Sequence, residues 1–413
     1  MGLGVKAPGG CTPAAFWNAG LAGRGAAVAM PELIGHHDTE AASIGCPVTD
    51  DDSVDERYFR KPELRRIAAV ARLGVAAAHD AVEGLAETGL FDVVAPERRA
   101  ASVGTGVGGL GTYRTQAEVI GAGGFSRCSP FTVPMMMPNS LAGWLSLRHE
   151  LRGPAHTSAA ACASATVAIG EALAMIRSGR ADLVLAGGAE AVLFQEVWLS
   201  FARMEALSRH TDLDPAEASR PFDAGRDGFV LGEGAAMLVL VADEVAEAAG
   251  LDVLGWVDGY GASSDAHHMV APPDDGEGAV RAMRGALDDA GLEPDAITHV
   301  NAHGTSTPRN DVSESVALTS VFGADGPPVT STKGVTGHLL GATGAVEAVA
   351  TLAAAAFGTV PPVANTTEVD PEITVDVVNV APRSIAPGPA MSNSFAFGGH
   401  NASVIVTPAP DAA

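Results

Sequence analysis

The chain has 413 residues, 47% of them hydrophobic, which is enough to bury a large core as one big domain or as two fused halves. Only 18% of the residues are charged, and the formal net charge is −24. This balance excludes a nucleic-acid binder, which would carry a basic stripe, and argues against attachment to an anionic membrane surface. The four cysteines lack the paired spacing of zinc sites or disulfide frameworks, and the first residues lack the apolar core of a signal peptide. We therefore expect a reduced, cytoplasmic protein.

The first sixty residues are rich in Gly, Pro and Asp, and they contain one predicted helix over 13–21. An acidic run over 50–56 is typical of a solvated loop. A long amphipathic helix is predicted to begin at Lys61 and to continue through Glu87. Its basic first turns are, by themselves, ordinary surface charge.

A strand followed by a glycine-rich turn is predicted over 100–111. Gly104, Gly106 and Gly109 match the G-x-G-x-x-G pattern of a phosphate-binding loop, but no acidic residue follows at the required distance on a second strand. We therefore interpret these glycines as positions of close backbone packing. The apolar segment 130–139 contains three consecutive methionines, which either line a pocket for an apolar chain or fill the core.

A run of small residues over 157–170 surrounds a single cysteine, Cys162, and passes into a helical pattern that continues to about Ser178. Glu171 and Arg177 are the only charged residues of that pattern. At the start of a helix, free backbone N–H groups and the helix dipole stabilise an anion, so we expect a lowered thiol pKa and a nucleophilic thiolate. Taken alone, a buried structural cysteine is the more frequent interpretation.

The rest of the chain alternates between predicted strands and helices, which indicates a layered α/β architecture. A strand over 181–188 is expected to stop at two glycines, and a turn-rich loop (220–228), a strand (235–241) and a seam near 242–251 follow. The seam divides the chain into halves 1–245 and 246–413. The second half continues with strands over 253–260 and 297–302, a helix over 278–290, and a glycine-rich loop leading into an uncharged helix over 335–357. Each half places a glycine-rich loop before a long uncharged helix, which suggests an internal duplication; the apolar stretch 339–357, which contains Glu347, is interpreted as a core helix.

Three motifs in the second half set polar groups among glycines after buried strands. Two histidines, a lysine and the earlier cysteine in such loops fit a nucleophile with acid/base partners better than isolated structural histidines do. Glu347 is the only charged residue between Lys333 and Glu368, histidine aside, so we predict an ion pair with Lys333 that stiffens the loop bearing His338. The motifs are Asn301-Ala-His303-Gly-Thr-Ser-Thr-Pro-Arg-Asn-Asp311, Ser331-Thr-Lys333-Gly-Val-Thr-Gly-His338 and Asn393-Ser-Phe-Ala-Phe397-Gly-Gly-His400-Asn401.

With these motifs in this order, the chain resembles the elongating, decarboxylating β-ketoacyl-acyl-carrier-protein synthases of the thiolase superfamily. The markers are Cys162, His303-Gly-Thr-Ser-Thr, Lys333 with Gly337-His338, and Phe397-Gly-Gly, and the likeness runs from about Gly2 to Val406. The resemblance implies a thiolase-like α/β fold, with duplicated βαβαβαββ halves in five αβαβα layers, and a dimer.

The resemblance also implies a role for each motif. Cys162 would take the acyl group from a thioester, and a malonyl group on an acyl carrier protein would then lose carbon dioxide and condense with it. His303 and His338, both neutral, would stabilise the enolate oxygen, and the N–H groups of Cys162 and Phe397 would form a second oxyanion hole. Phe397 would also be a gate that swings to admit the acyl chain. Supporting positions are expected at Lys333, Glu347, Asp311 and Asn401.

Partners and pocket residues follow from the same resemblance. An acidic acyl carrier protein needs a local basic patch on a protein of this charge, which is expected at Arg65, Arg66, Arg127 and Arg209. The acyl pocket is expected to be lined by Val107, Met135, Met137, Phe201 and Phe397. No cofactor is expected, since the phosphopantetheine of the carrier protein holds the substrates, and no metal-dependent mechanism is indicated. A structural monovalent cation near Asn301 and Glu347 would be compatible.

The chain departs from the family pattern in three places. A strand usually precedes the turn at Gly2-Leu-Gly4, so the edge of the first sheet is in doubt. Ala396 replaces a common glycine, so the gate loop should be stiffer, and His400 replaces a common threonine. Thiolases, with a second cysteine near the C-terminus, and starter-condensing synthases, with asparagine in place of His338, are excluded. Fatty-acid synthesis, a type II polyketide pathway with a chain-length-factor partner, and a non-catalytic chain-length partner remain, and Cys162 argues against the last.

Overall fold

The computed structural model of the chain describes residues 2–35, 37, 41–49 and 53–410. Over these residues the strands are β1 (Leu3–Lys6), β2 (Val28–Ala29), β3 (Ile44–Gly45), β4 (Arg99–Gly104), β5 (Ala155–Ser158), β6 (Leu183–Glu190), β7 (Gly234–Val241), β8 (Gly255–Ser264), β9 (Val300–Asn301), β10 (Val329–Thr330), β11 (Thr359–Val360), β12 (Arg383–Ser384), β13 (Ala390–Ala396) and β14 (His400–Pro408). The helices are α1 (Pro13–Ala22), α2 (Ser53–Tyr58), α3 (Lys61–Leu64), α4 (Ala69–Glu83), α5 (Leu90–Val93), α6 (Leu110–Gly121), α7 (Thr132–Met136), α8 (Ser140–His149), α9 (Ser164–Arg177), α10 (Gln195–Arg203), α11 (Asp243–Ala248), α12 (Glu277–Ala290), α13 (Pro308–Phe322), α14 (Lys333–Thr336) and α15 (Thr343–Phe357).

Two five-stranded sheets share one topology. The first has the order β1-β7-β6-β4-β5, and the second, taken from its later edge, has the order β8-β14-β13-β9-β10. In each sheet the first two pairings are antiparallel and the next two are parallel. The chain therefore contains the same strand arrangement twice, which confirms the predicted duplication.

The sheets and helices form five layers. Helices α4 and α8 cover the outer face of the first sheet, α12 and α13 cover the outer side of the second, and α9 and α15 lie between the sheets. The stretch Leu340–Phe357 is long and apolar enough to cross a membrane, but 78% of it is buried inside the protein. It is therefore a core helix, as predicted, and the αβαβα fold is confirmed.

The two central helices begin with matching strained turns. A 3₁₀ turn at Ala161–Ala163 precedes α9, and another at Leu340–Ala342 precedes α15. Ala161 has φ 48° and Leu340 has φ 44°, a left-handed backbone that residues other than glycine rarely adopt. The two turns contact each other, so the halves meet where each is strained.

The glycine-rich turn after β4 serves close packing, as predicted. A Cβ atom added to Gly104 would lie 2.3 Å from the carbonyl carbon of Ser164, and one added to Gly109 would lie 2.1 Å from the carbonyl oxygen of Met135. The strand predicted to stop at Gly187 and Gly188 instead continues to the end of β6. These two glycines admit neighbouring atoms, since a Cβ on Gly187 would lie 2.1 Å from a carbonyl oxygen of β7.

The single helix predicted from Lys61 to Glu87 is wrong. The chain forms α3, leaves helical geometry at Ala68 (φ −71°, ψ 155°), and resumes as α4. The break lets Ile67 and Ala68 enter the core while the preceding arginines stay exposed. Tertiary burial therefore overrides the local pattern.

Other boundaries also differ. The predicted helix over 335–357 is divided into α14 and α15, because Gly337 (φ 64°) and Leu340 turn the chain between them. Strand β8 is longer and β9 is shorter than predicted. Residues 50–52 of the acidic run lie outside the described part of the chain, whereas Ser53–Tyr58 is helical rather than a loop. The first sheet does have an edge strand, since β1 pairs with β7 directly after Gly2.

Candidate active site

The nucleophile candidate Cys162 lies in the strained turn before α9 and is buried. Its sulfur is 3.0 Å from Nε2 of His338, across the boundary between the two halves. The backbone N–H groups of Phe397 and of Cys162 itself donate toward the sulfur. The fold thus gives one thiol a base candidate and two fixed N–H donors.

The two histidines lie beside this thiol. His303 follows β9, His338 lies between α14 and α15, and their ring centroids are 5.4 Å apart at an interplanar angle of 82°. One side-chain atom from each of Cys162, His303 and His338 lies within 4.8 Å of the others. Nδ1 of His338 is 3.2 Å from the hydroxyl of Thr343, the first residue of α15. The structure therefore brings the three predicted reactive side chains together.

Burial controls the charge of all three groups. It raises the pKa of the Cys162 thiol to about 12, although the nearby Lys333 and the two backbone N–H donors act in the opposite direction. The prediction that this thiol pKa is lowered is therefore wrong. The loss of solvation on burial raises the pKa more than the start of helix α9 lowers it. Burial, followed by the Lys333 cation, holds the pKa values of His303 and His338 well below 6.5. Both imidazoles are neutral, as the resemblance required.

Lys333 connects the site to the central helix. Its ammonium group donates to the backbone carbonyl of His303 and pairs with the carboxylate of Glu347, and both charged side chains are almost fully buried. The predicted ion pair is confirmed. It holds the loop of His303 as well as its own loop, which the sequence did not indicate.

Two further predicted positions support neighbouring loops. The Asp311 carboxylate accepts the backbone N–H groups of Thr305 and Phe222 and lies 3.4 Å from the Arg226 guanidinium. The Asn401 amide donates to Asp265 at 2.6 Å, in the segment that also hydrogen-bonds to the gate loop through Gly398 and Gly399. Ala396 packs beside Cys162 at the end of β13, and His400 is exposed at the start of β14.

The sequence reasoning missed two buried carboxylates. Glu314 accepts the N–H groups of His303 and Gly304, each at 2.7 Å. It lies three residues after Asp311 on α13, a same-face spacing that could have identified it. Glu190 accepts donors from both halves of the chain. It is the only charged residue between Asp182 and Glu196, the same signal that identified Glu347.

A cavity of about 530 Å³ opens above the three reactive side chains. Phe201 and Phe397 line it with ring centroids 6.2 Å apart, and Val107 packs in the same apolar cluster as Cys162. Phe201 and Phe397 therefore lie where they were predicted, whereas Val107 packs near the nucleophile without lining this cavity. The structure does not bring Met135 and Met137 there: Met135 packs against the core cluster beneath the first sheet, and Met137 is 42% exposed.

The four predicted docking arginines are all exposed. The guanidinium of Arg66 lies 4.8 Å from the ring centroid of Phe131, four residues after Arg127, so these two arginines belong to neighbouring surface segments. The backbone N–H of Arg209 donates to Asp227, a residue that lines the cavity. Arg209 therefore lies close to the entrance of the site.

Comparisons with known proteins agree with this geometry. The models for the N-terminal and C-terminal domains of beta-ketoacyl synthase match residues 1–246 and 254–367. A 3-oxoacyl-[acyl-carrier-protein] synthase 2 from Synechocystis is 39% identical over 402 residues, which is 97% of this chain and 95% of the relative. Among solved structures, the ishigamide ketosynthase/chain length factor has a TM-score of 0.89 and 32% identity, covering 99% of this chain and 98% of that one. A ketosynthase structure with its type II polyketide acyl-carrier protein has a TM-score of 0.88 and 26% identity, with the same coverage.

The fold and the site define a condensing acyltransferase with the thiolase-like ketosynthase fold. The chain belongs to the beta-ketoacyl synthase family, since the two family models together match well over half of it.

The raised thiol pKa predicts how Cys162 reacts in the free protein. Because only the thiolate is alkylated readily, the rate of Cys162 modification by iodoacetamide should rise about tenfold per pH unit from pH 7 to 9, without a plateau. The rate is measured by mass spectrometry of the peptide containing Cys162, because Cys11 and Cys128 are more accessible. A plateau reached below pH 8 would instead show a thiolate–imidazolium pair with His338.

The buried ion pair predicts strong coupling between its partners. Lys333→Met should lower the free energy of unfolding by about 3–5 kcal/mol, because Glu347 then stays buried without its cation. The double variant Lys333→Met with Glu347→Gln should lose less than the single variant. Denaturant titrations of the wild type, both single variants and the double variant give the coupling energy. Strictly additive losses would contradict the pairing.

Proposed function

We propose that this chain is a β-ketoacyl-acyl-carrier-protein synthase that joins a Cys162-bound acyl group to a malonyl unit with loss of carbon dioxide. One observation carries this proposal. A buried thiol, two neutral imidazoles and two backbone N–H donors converge at the base of a single cavity. Thiol, imidazoles and N–H donors are the groups that acyl transfer followed by enolate formation requires.

In the acylation step, the thiol proton passes to Nε2 of His338 while the sulfur of Cys162 attacks the thioester carbonyl. The N–H groups of Cys162 and Phe397 stabilise the oxyanion of the tetrahedral intermediate. The carrier-bound thiol leaves with the proton that His338 received. His338 is thereby neutral again, and Cys162 carries the acyl group.

In the condensation step, the carbon–carbon bond to the malonyl carboxylate breaks, carbon dioxide leaves, and negative charge develops on the thioester oxygen. Neutral His303 and His338 stabilise that oxygen by donating ring N–H groups. For this step His338 carries its hydrogen on Nε2, restored by proton exchange with water after acylation, and Nδ1 accepts the hydroxyl of Thr343. The enolate carbon then attacks the acyl carbonyl, and the sulfur of Cys162 leaves as a thiolate that takes a proton from water. Lys333 favours the neutral imidazoles because its charge opposes a second cation beside it.

No cofactor takes part in these steps, since the phosphopantetheine arm of the carrier protein presents both substrates. We also propose a structural monovalent cation near Asn301 and Glu347. Asn301 Oδ1, Glu347 Oε2 and Ser392 Oγ are buried without hydrogen-bond partners among the described residues, and Ser392 pairs with Asn301 across β13 and β9. These oxygens would be ligands of the cation.

The proposed donor partner is an acyl carrier protein, as in the polyketide complex and in the name of the Synechocystis relative. Exposed Arg65, Arg66, Arg127 and Arg209 supply local positive charge on a chain whose net charge is −24. We further propose a cytoplasmic protein whose halves, 1–245 and 246–413, pack as one unit.

A dimer is also proposed. Strand β5 is the outer strand of its sheet, and its first two residues are exposed. Large apolar side chains are exposed on the nearby helical segments 110–147: Tyr113, Ile120, Phe125, Val133 and Leu147. Such a surface is typical of a subunit interface. The partner is a second copy or a homologue of the chain-length-factor type, like the one that accompanies the ishigamide ketosynthase.

Two pathways remain for the same chemistry: fatty-acid elongation or a type II polyketide line with a chain-length-factor partner. Relatives of both kinds are similar to this chain. A non-catalytic chain-length partner is disfavoured by the complete set of Cys162, His303 and His338.

The nucleophile predicts a covalent intermediate. Incubation with acyl-carrier proteins that bear different acyl groups should add one acyl mass to the wild type and none to Cys162→Ala, as recorded by intact mass spectrometry. The preferred group would identify the substrate chain. If no donor, offered with or without a chain-length-factor partner, acylated the wild type, the proposed function would be wrong.

The basic surface predicts a selective binding defect. Reversal of both arginines, Arg65→Glu with Arg66→Glu, should raise KM for malonyl-carrier protein about tenfold at low salt with little change in kcat. The control is Arg281→Glu with Arg284→Glu, which makes the same change in net charge on the outer helix α12. An unchanged KM for the first variant would place the carrier protein elsewhere.

The apolar surface predicts the oligomeric state. Leu147→Glu should convert the dimer to a monomer in sedimentation velocity, because a charge would be buried in the interface. Val380→Glu is a matched control, since Val380 is equally exposed but lies in the other half of the chain. A Leu147→Glu variant that sediments like the wild type would contradict this interface.

A further inference from the structure

Glu190 is a buried carboxylate at the carboxyl end of β6, and no step of the proposed mechanism uses it. It accepts the hydroxyl of Thr105 at 3.0 Å and the backbone N–H groups of Gly106 at 2.6 Å and Val107 at 3.4 Å. It also accepts the N–H of Gly341 at 3.0 Å. Gly341 belongs to the second half, so this one carboxylate connects the two halves at the site.

Neutral donors alone surround this carboxylate. N–H and O–H groups donate hydrogen bonds to it, and within the part of the chain that the structure describes no cation pairs with it. The two glycines admit it, since a Cβ atom on Gly106 would lie 2.8 Å from its Oε2, and one on Gly341 would lie 2.7 Å away. Burial raises the pKa of Glu190 to about 7. Its ionised form is therefore costly unless every donor is in place, and the hydrogen bonds hold these donors at fixed positions.

The residues it holds lie on either side of the nucleophile: Leu340 lines the cavity, and Val107 packs against the apolar cluster that contains Cys162. The backbone N–H of Val107 donates directly to Glu190. Leu340 directly precedes Gly341, the other hydrogen-bonded residue, in the second strained turn. The side chains of Val107 and Leu340 pack in the same apolar cluster as Cys162. Val107 belongs to the first half of the chain and Leu340 to the second.

We propose that Glu190 is a positioning residue that sets the width of the acyl channel at Cys162, by holding the backbones of Val107 and Leu340 at a fixed separation. This inference rests on the proposed function. A carboxylate accepts N–H donors on both of its oxygens at once, whereas the amide of glutamine presents N–H groups to one side. Glu190→Gln therefore releases one wall. Because a hydrophobic pocket discriminates single methylene groups by its shape, the acyl-length preference depends on this separation.

The test measures acylation of Cys162 by saturated acyl-carrier proteins of successive lengths, using intact mass spectrometry. For Glu190→Gln, the ratio of rates between the preferred length and the length two carbons longer should change about tenfold. Glu314→Gln is the matched control: it also removes a buried carboxylate that accepts two backbone N–H groups, but on the His303 side. It should slow condensation and leave the length ratio of acylation unchanged.

A second variant keeps the test decisive if Glu190→Gln does not fold. Gly106→Ala retains the charge and pushes the added methyl against Oε2, so it should change the same length ratio. A uniform loss of rate at every length in these variants, with the wild-type ratio preserved, would overturn the inference. Failure of the wild type to be acylated by any donor would overturn the proposed function instead, and with it this dependent inference.

Discussion

The site depends on the interactions of one buried cation, the ammonium group of Lys333. It binds the carbonyl of His303 and the carboxylate of Glu347, and so joins the loop after strand β9 to the central helix α15. Its charge also helps to keep both imidazoles neutral, which their proposed role as hydrogen-bond donors to an enolate requires. A buried pair of this kind contributes little net stability, so its value lies in position and electrostatics.

Buried carboxylates also hold the loops around the cavity in place. Glu314 and Asp311 hold the loop that follows β9, and Glu190 holds the loops that flank Cys162. In each case the carboxylate accepts backbone N–H groups that the irregular loops leave without partners in a helix or sheet. The loops are therefore irregular in conformation but rigidly held, as a preorganised site requires.

The thiol illustrates how two physical effects compete. Its place before α9 favours the anion, but burial raises its pKa to about 12. In the proposed mechanism the thiolate therefore forms during the attack, as His338 takes the proton, and no preformed thiolate is needed.

Much of the site could be predicted from the sequence, because its chemistry demands particular residue types in short motifs. Cys162, His303, His338, Lys333 and the Lys333–Glu347 pair were all identified in this way, as was the layered fold. The breaks in the predicted helices at Ala68 and Gly337 could not be predicted from the sequence. Burial of Ile67 and the contact between the turns before α9 and α15 override the local helical patterns.

The sequence by itself determined which side chains could react and that two similar α/β halves would carry them. Only the tertiary structure decided the charge state of Cys162, the placement of Met135 and Met137 away from the pocket, and the role of Glu190 in joining the halves. The physical reason is that solvation and hydrogen-bond partners come from residues distant in the chain. Glu190 and Gly341 are 151 positions apart, and no local pattern specifies their contact.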